Sequence, residues 1–136
     1  MTLSLTSPAT VMDLAACARS TTPQLWALAQ VQVRLGRSFV LRTAEGDVVI
    51  CGGFVTWAPD PEIGHAWFMP SVLAARHMVS AVRACRQAMA AVLTGNPPAY
   101  VRLIVFVSTP EGRRIAAASG FHFLATRSDG MEVYST

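Results

Sequence analysis

Between Tyr100 and Val107 the chain offers one polar side chain, Arg102, among seven apolar ones. The run is too short to cross a membrane, is rich in β-branched and aromatic residues, and is bounded by Pro97-Pro98 and Thr109-Pro110. Such a segment is a strand buried on both faces. Both faces of its sheet must then be covered, which points to an α/β domain with helices on either side.

The flanking segments supply those layers. Thr2 to Thr6 alternates as a short first strand, and Ser7-Pro8 then starts a helix running to about Ser20. Thr22-Pro23 opens a second helix that stops at Gly36, read as a C′ glycine. Phe39 to Arg42, Val48 to Trp57 and Glu62 to Met69, separated by Glu45-Gly46-Asp47 and Ala58-Pro59-Asp60-Pro61, read as a three-strand antiparallel meander. Pro70-Ser71 launches a long helix. Its polar positions Arg76, Ser80, Arg83 and Gln87 recur at helical spacing, leaving Met78, Val79, Val82, Cys85, Met89 and Val92 to face the sheet. After the apolar strand, Thr109-Pro110 starts a short helix that ends at Ser119-Gly120. Phe121 to Thr126 and Met131 to Tyr134 make a final hairpin across Ser128-Asp129-Gly130.

The 136 residues are 52% hydrophobic and 14% charged, enough to bury a core in one domain spanning 1–136, and too apolar for intrinsic disorder. Val72 to Leu93 is the richest apolar stretch, and Arg76, Ser80, Arg83, Arg86 and Gln87 interrupt it, so no membrane-spanning segment is expected. Met1 to Leu5 has no basic flank and no long apolar run before Pro8, so it does not read as a secretory signal, and synthesis in a cytosol follows. Cys17, Cys51 and Cys85 are odd in number, far apart and set among apolar neighbours, as buried thiols are. The net charge of +3 comes from 11 scattered arginines with no lysine, which gives no basic patch for nucleic acid. His77 and His122 have no ligand-type residue at metal-binding spacing.

The order strand, two helices, three-strand meander, long helix, apolar strand, short helix, hairpin resembles the GCN5-related N-acetyltransferase (GNAT) superfamily over nearly the whole chain. Its most specific piece is the helix from Thr109 to Gly120-Phe121, after the strand ending at Val107. The resemblance implies a mixed, mostly antiparallel sheet of about seven strands with helices on both faces. Within the superfamily the chain is similar to phage-encoded acyltransferase-like proteins, some of them internal virion proteins. The residues behind this are Gly52-Gly53, His65-Ala66-Trp67-Phe68 leading to Met69-Pro70-Ser71, and Thr126 to Tyr134.

The resemblance also locates a site. Family members bind the pyrophosphate of acetyl-CoA on backbone N–H groups in a glycine-rich loop before the long helix, where anions are favoured. The matching stretch has no glycine; Met69, Ser71, Ala74, Ala75, Arg76 and His77 are the candidates there, with Thr109 at the position where family members usually place an asparagine and Arg113 and Arg114 near the expected path. A tyrosine that often protonates the departing thiolate is replaced by Ala116. Glu62 or His65, with Asp60 beside them, could take the proton of an amine. Trp57, Trp67 and Phe68, placed at the ends of the meander strands, would anchor a protein partner if exposed.

Two expectations follow. In one, a catalytically degenerate, phage-associated protein with no cofactor acts in the virion or its assembly through contacts with other virion proteins, after synthesis in the host cytoplasm. In the alternative, an active acetyl-CoA-dependent N-acyltransferase modifies a small amine or a protein amine.

Overall fold

Arg102–Val107 lies inside a seven-stranded sheet, as its pattern requires. The computed structural model describes residues 3–17 and 23–136. In chain order the elements are β1 (Ser4–Thr6), α1 (Val11–Cys17), α2 (Pro23–Leu35), β2 (Arg37–Arg42), β3 (Val48–Thr56) and β4 (Ile63–Pro70). Then come α3 (Met78–Leu93), β5 (Arg102–Val107), α4 (Pro110–Ser119), β6 (His122–Thr126) and β7 (Glu132–Ser135). The sheet order is β1-β2-β3-β4-β5-β7-β6. Every neighbouring pair is antiparallel except β4 with β5.

Helices cover both faces of this sheet. Below α3 and α4, Phe54, Ala66, Leu103, Val105 and Val107 of the strands close on Met89, Val92, Ala116 and Phe121. On the other face Val40, Cys51 and Trp67 meet Leu14 and Cys17 of α1 and Ala29 and Val33 of α2. Among the described residues no helix is long and apolar enough to cross a membrane.

Several boundaries move for physical reasons. The first helix starts at Val11, because its cap is Thr10 and not Ser7. The Asp13 N–H donates to Thr10 Oγ1 (3.2 Å) and the Thr10 N–H donates to Asp13 Oδ2 (2.9 Å), a reciprocal cap. The expected continuation to Ser20, and Thr22 as a cap, fall outside the described residues. Gly36 does end α2, but not as a left-handed C′ residue, since the glycines with positive φ are Gly46, Gly120 and Gly130. It is glycine because a Cβ there would lie 2.0 Å from the Phe54 carbonyl oxygen. The long helix starts later than expected: a 3-10 turn at Val72–Ala75 precedes α3. Cys85, Met89 and Val92 of α3 are buried as expected, joined by Ala81 and Ala84, whereas Val79 is 73% exposed.

Asp13 joins the cap to the sheet. It is 5% exposed and accepts from Arg42 Nη2 on β2 at 2.8 Å. Burial pushes its carboxyl up, but the hydrogen bonds from the Thr10 backbone, Arg42 and the Thr10 hydroxyl, with the Arg42 charge, hold it below its ordinary 3.8. The stability it contributes is therefore complete above that ordinary value and is lost as pH falls through the lower folded value. Asp13→Ala should destabilise by about 2–3 kcal/mol at neutral pH, the sum expected for a lost cap and a partly exposed ion pair. Urea denaturation at pH 7 and at pH 3 should show the difference from the parent protein shrinking at the lower pH.

Candidate functional site at the parting of two parallel strands

The parallel strands β4 and β5 pair from Ile63↔Arg102 to Ala66↔Val105 and no further. Beyond that point β3 holds β4 from Gly53↔Trp67 to Ile50↔Pro70, while β7 holds β5 through Phe106↔Val133 and Val107↔Glu132. Each strand is thus paired on its outer side and open toward the other. The opening lies at the carboxyl ends of parallel strands, the usual position for a ligand crevice in sheets containing parallel pairs. It forms a cleft of about 590 Å³.

The cleft passes through the sheet. One wall is Trp67 to Pro70 of β4; the other is Val105 to Val107 of β5, followed by Ser108 and Thr109. Leu28, Ala29 and Gln32 of α2 and Cys17 of α1 close it on one face, and Glu111, Gly112 and Ile115 of α4 on the other. Among the described lining residues Glu111 is the carboxylate, and it stands on the α4 side.

The N-terminus of α4 borders the opening, and on the β4 side the chain leaves the cleft at Pro70 through a turn that leads to α3. Thr109 caps α4, its Oγ1 accepting from the Gly112 N–H at 3.0 Å, and Pro110 occupies the first turn. The same helix ends with Gly120 at φ 105°, the left-handed cap its sequence calls for. On the β4 side the turn is pinned by Ser71, whose Oγ donates to the Val48 (2.6 Å) and Val49 (2.9 Å) carbonyls and accepts from the Leu73 N–H (3.1 Å). Ser71 is 3% exposed, so it locks the turn to β3 and does not face a ligand. Ala74 is also buried and packs in the core. Ala75 and Arg76 are exposed, and His77 begins α3 without a side-chain cap. The first-turn N–H groups of such a helix have no intrahelical acceptor.

The other sequence candidates separate. Met69 and Thr109 line the cleft. Glu62 does not: it sits before β4, four residues ahead of Ala66, about 13 Å along an extended strand from the point where the strands part. Asp60 is used locally, its Oδ1 accepting from the Glu62 N–H at 3.0 Å. Trp57 follows β3 at this same far end, its N–H donating to the Ile63 carbonyl, so it is remote from the cleft. Trp67 lines the cleft but is 7% exposed, and Phe68 is half-buried, its ring close to those of Phe39 and Phe121. Both are wall and core residues and not exposed anchors. Arg113 is committed to Glu132 (2.9 Å), on the β7 side of β5 and away from the opening. Ala116 is 1% exposed beneath α4, so position 116 itself faces the core.

His65 is the candidate that the fold brings close. Strand alternation puts it on the same face as Trp67, one residue before the last parallel pair. Its ring packs edge-on to Phe106, a cleft residue, with centroids 4.7 Å apart. Burial, and secondarily the Arg127 charge, hold its imidazole below the ordinary value of 6.5. It is accordingly neutral at pH 7 and able to accept a proton. Cys17, Cys51 and Cys85 are all buried. The Cys17 contact and burial raise the Cys51 thiol, and burial pushes Cys85 up to about 12, so neither of these is a nucleophile at neutral pH.

Solved structures share this architecture. A protein assigned to the GNAT family from Desulfovibrio desulfuricans superposes with a TM-score of 0.67 at 12% identity, over 99% of this chain and 98% of that one. A spermidine N-acetyltransferase variant from Vibrio cholerae gives 0.62 at 11%, over 99% and 92%. The ribosomal-protein-S5-alanine acetyltransferase from Vibrio fischeri gives 0.60 at 17%, over 88% and 75%. The chain has the GNAT fold. No family model and no curated protein sequence matches it. At these identities the likeness is one of backbone, and the site chemistry rests on the residues of this chain.

Sequence reasoning missed Gln32, Ser108, Glu111, Phe106 and Arg127. Phe106 read as one more apolar residue of a buried strand, and nothing in the local pattern shows that β4 and β5 part beside it.

Proposed function

We propose that this protein is an acetyl-CoA-dependent N-acyltransferase acting on a small amine or a protein amine. The observation that carries the reading is the cleft between β4 and β5. It has two strand edges without partners across it, largely apolar walls, the N-terminus of α4 at one side and, beyond Pro70 at the other, the turn that leads to α3. These features suit acetyl-CoA: strand edges can hydrogen-bond an extended pantetheine arm, and the start of α3 can receive its pyrophosphate. Ala75, Arg76 and His77 are the residues that would hold the phosphates, with the small Ala75 side chain standing where a glycine would otherwise allow close approach. Met69 and Thr109 would border the arm.

Acetyl-CoA, when bound, supplies a thioester carbonyl that an amine attacks as the C–S bond breaks, yielding an amide and a thiol. Toward that reaction His65 takes the proton of the amine, through a water where the geometry requires one. The apolar walls from Trp67, Phe68 and Val105 exclude bulk water. Ser108, at the end of β5 and exposed to the cleft, offers a hydroxyl donor in a chain whose Ala116 supplies no phenol and faces the core.

The second reading, a non-enzymatic phage-associated protein acting in the virion or its assembly, is favoured by the absence of glycine from residues 70–77 and by Ala116. Neither observation closes the cleft, and the fold comparisons favour the enzyme. Calorimetric titration with acetyl-CoA distinguishes the two. Micromolar binding is expected, weakened about tenfold by Ala75→Glu, which brings a like charge to the phosphates at an exposed position. No binding at millimolar acetyl-CoA would reject the enzyme reading.

A further inference from the structure

The α2 side of the cleft is built for a particular kind of acceptor. Leu28, Ala29, Trp67 and Met69 make it largely apolar, with the neutral amide of Gln32 among them, and the described lining residues place no carboxylate there, since Glu111 belongs to the α4 side. A polycationic amine would find nothing to neutralise its distal charges.

A cation lies next to this wall, over one of its residues but outside the lining itself. The Arg127 guanidinium carbon lies 4.8 Å from the centroid of the Phe106 ring, and Phe106 lines the cleft. The arginine is fixed from several directions. Its backbone N–H donates to the Met131 carbonyl and its carbonyl accepts from the Gly130 N–H, which seats it in the turn between β6 and β7. Its Nη2 reaches Asp129 Oδ2 at 3.1 Å, while Asp129 Oδ1 accepts from the Met131 N–H at 3.1 Å. The side chains of the pair are 46% and 47% exposed, so their ion pair is weak and the rest of the guanidinium remains open to another anion. The Phe106 ring thus has the neutral imidazole of His65 against it and the guanidinium over its face.

We infer that the acceptor is an apolar amine carrying a carboxylate, of the kind found in a hydrophobic α-amino acid, with Arg127 on the Phe106 ring as its anion-binding group. This rests on the acyltransferase reading above. The apolar part of the acceptor packs on Leu28, Ala29 and Trp67, the carboxylate meets the guanidinium, and the amine is left beside His65 at the parting of β4 and β5. A guanidinium held on an aromatic face loses little freedom when it engages a carboxylate.

The test compares phenylalanine, phenylethylamine and spermidine as acceptors with the whole chain and acetyl-CoA, following thiol release, with calorimetric binding of phenylalanine as a second readout. Phenylalanine should exceed phenylethylamine by about 10- to 100-fold in kcat/KM, the range of one charge-assisted pair. Arg127→Gln should remove that preference through KM, leave acetyl-CoA affinity unchanged and weaken direct phenylalanine binding; Arg127→Lys should restore part of it. Acetyl-CoA binding with equal or better use of phenylethylamine or spermidine would overturn this inference alone. Absence of acetyl-CoA binding would overturn the acyltransferase reading and this inference with it.

Discussion

His65→Gln is expected to lower kcat about 10²- to 10⁴-fold, the usual range for loss of a general base. The argument is geometric first. His65 lies on the same face of β4 as the cleft residue Trp67 and packs against the cleft residue Phe106, while the alternative carboxylate Glu62 is held at the other end of the strand. Its environment then sets the pH behaviour. Burial, followed by the positive charge of Arg127, lowers the imidazole from 6.5, so kcat should rise with pH below neutrality and become level near pH 7. Arg127→Gln removes one of the two lowering influences and should move the acid limb toward higher pH, a displacement that a purely structural role would not produce. Stability shares the sign. The unfolded chain binds the proton first, so His65 contributes its full stability above 6.5 and loses it as pH falls through the lower folded value. Steady-state rates from pH 5 to 9, with thermal unfolding to confirm that the variant folds, check both points. A kcat within threefold of the parent would remove His65 from the mechanism.

Gly53→Val should abolish the cooperative fold, with a loss above about 4 kcal/mol, a size reserved for severe steric conflict. A Cβ at Gly53 would lie 2.3 Å from the Arg37 carbonyl oxygen and 3.0 Å from both the Ser38 Cα and the Trp67 Cζ2. The first two are backbone atoms of β2, which is itself paired to β1. They cannot step aside without breaking register across three strands. Gly52 is under the same constraint, its Cβ falling 2.7 Å from the Trp67 carbonyl oxygen. Circular dichroism on heating should show no transition for the valine variant, whereas a sigmoidal unfolding curve near the parent's would refute the packing argument. The glycine pair that contributed to the phage resemblance therefore has a local packing reason in this chain.

Much of the scaffold was readable in advance because each signal is local. Thr109 and Gly120 announce the start and end of α4 through a side-chain cap and a left-handed backbone, and both require only neighbouring atoms. The apolar run from Leu103 to Val107 announces an interior strand in the same way. The site was less readable. Ser71 and Ala74 looked like parts of a phosphate loop by position, yet Ser71 spends its hydroxyl on the carbonyls of β3 and Ala74 fills core. His65 and Glu62 were equivalent candidates in the sequence, and only the extent of β4 pairing with β5 separates them.

By itself, the sequence determined the kinds of element, their order and most of the faces they bury, Val79 of α3 excepted, because hydrophobic period, caps and turn glycines act over one or two turns of chain. Tertiary structure alone decided where β4 and β5 stop pairing, which glycines exist to let strands approach, and that Arg127, 21 positions beyond Phe106 in the chain, lies over its ring. Those outcomes depend on register between segments far apart in the chain, and register is fixed only when all the layers pack together.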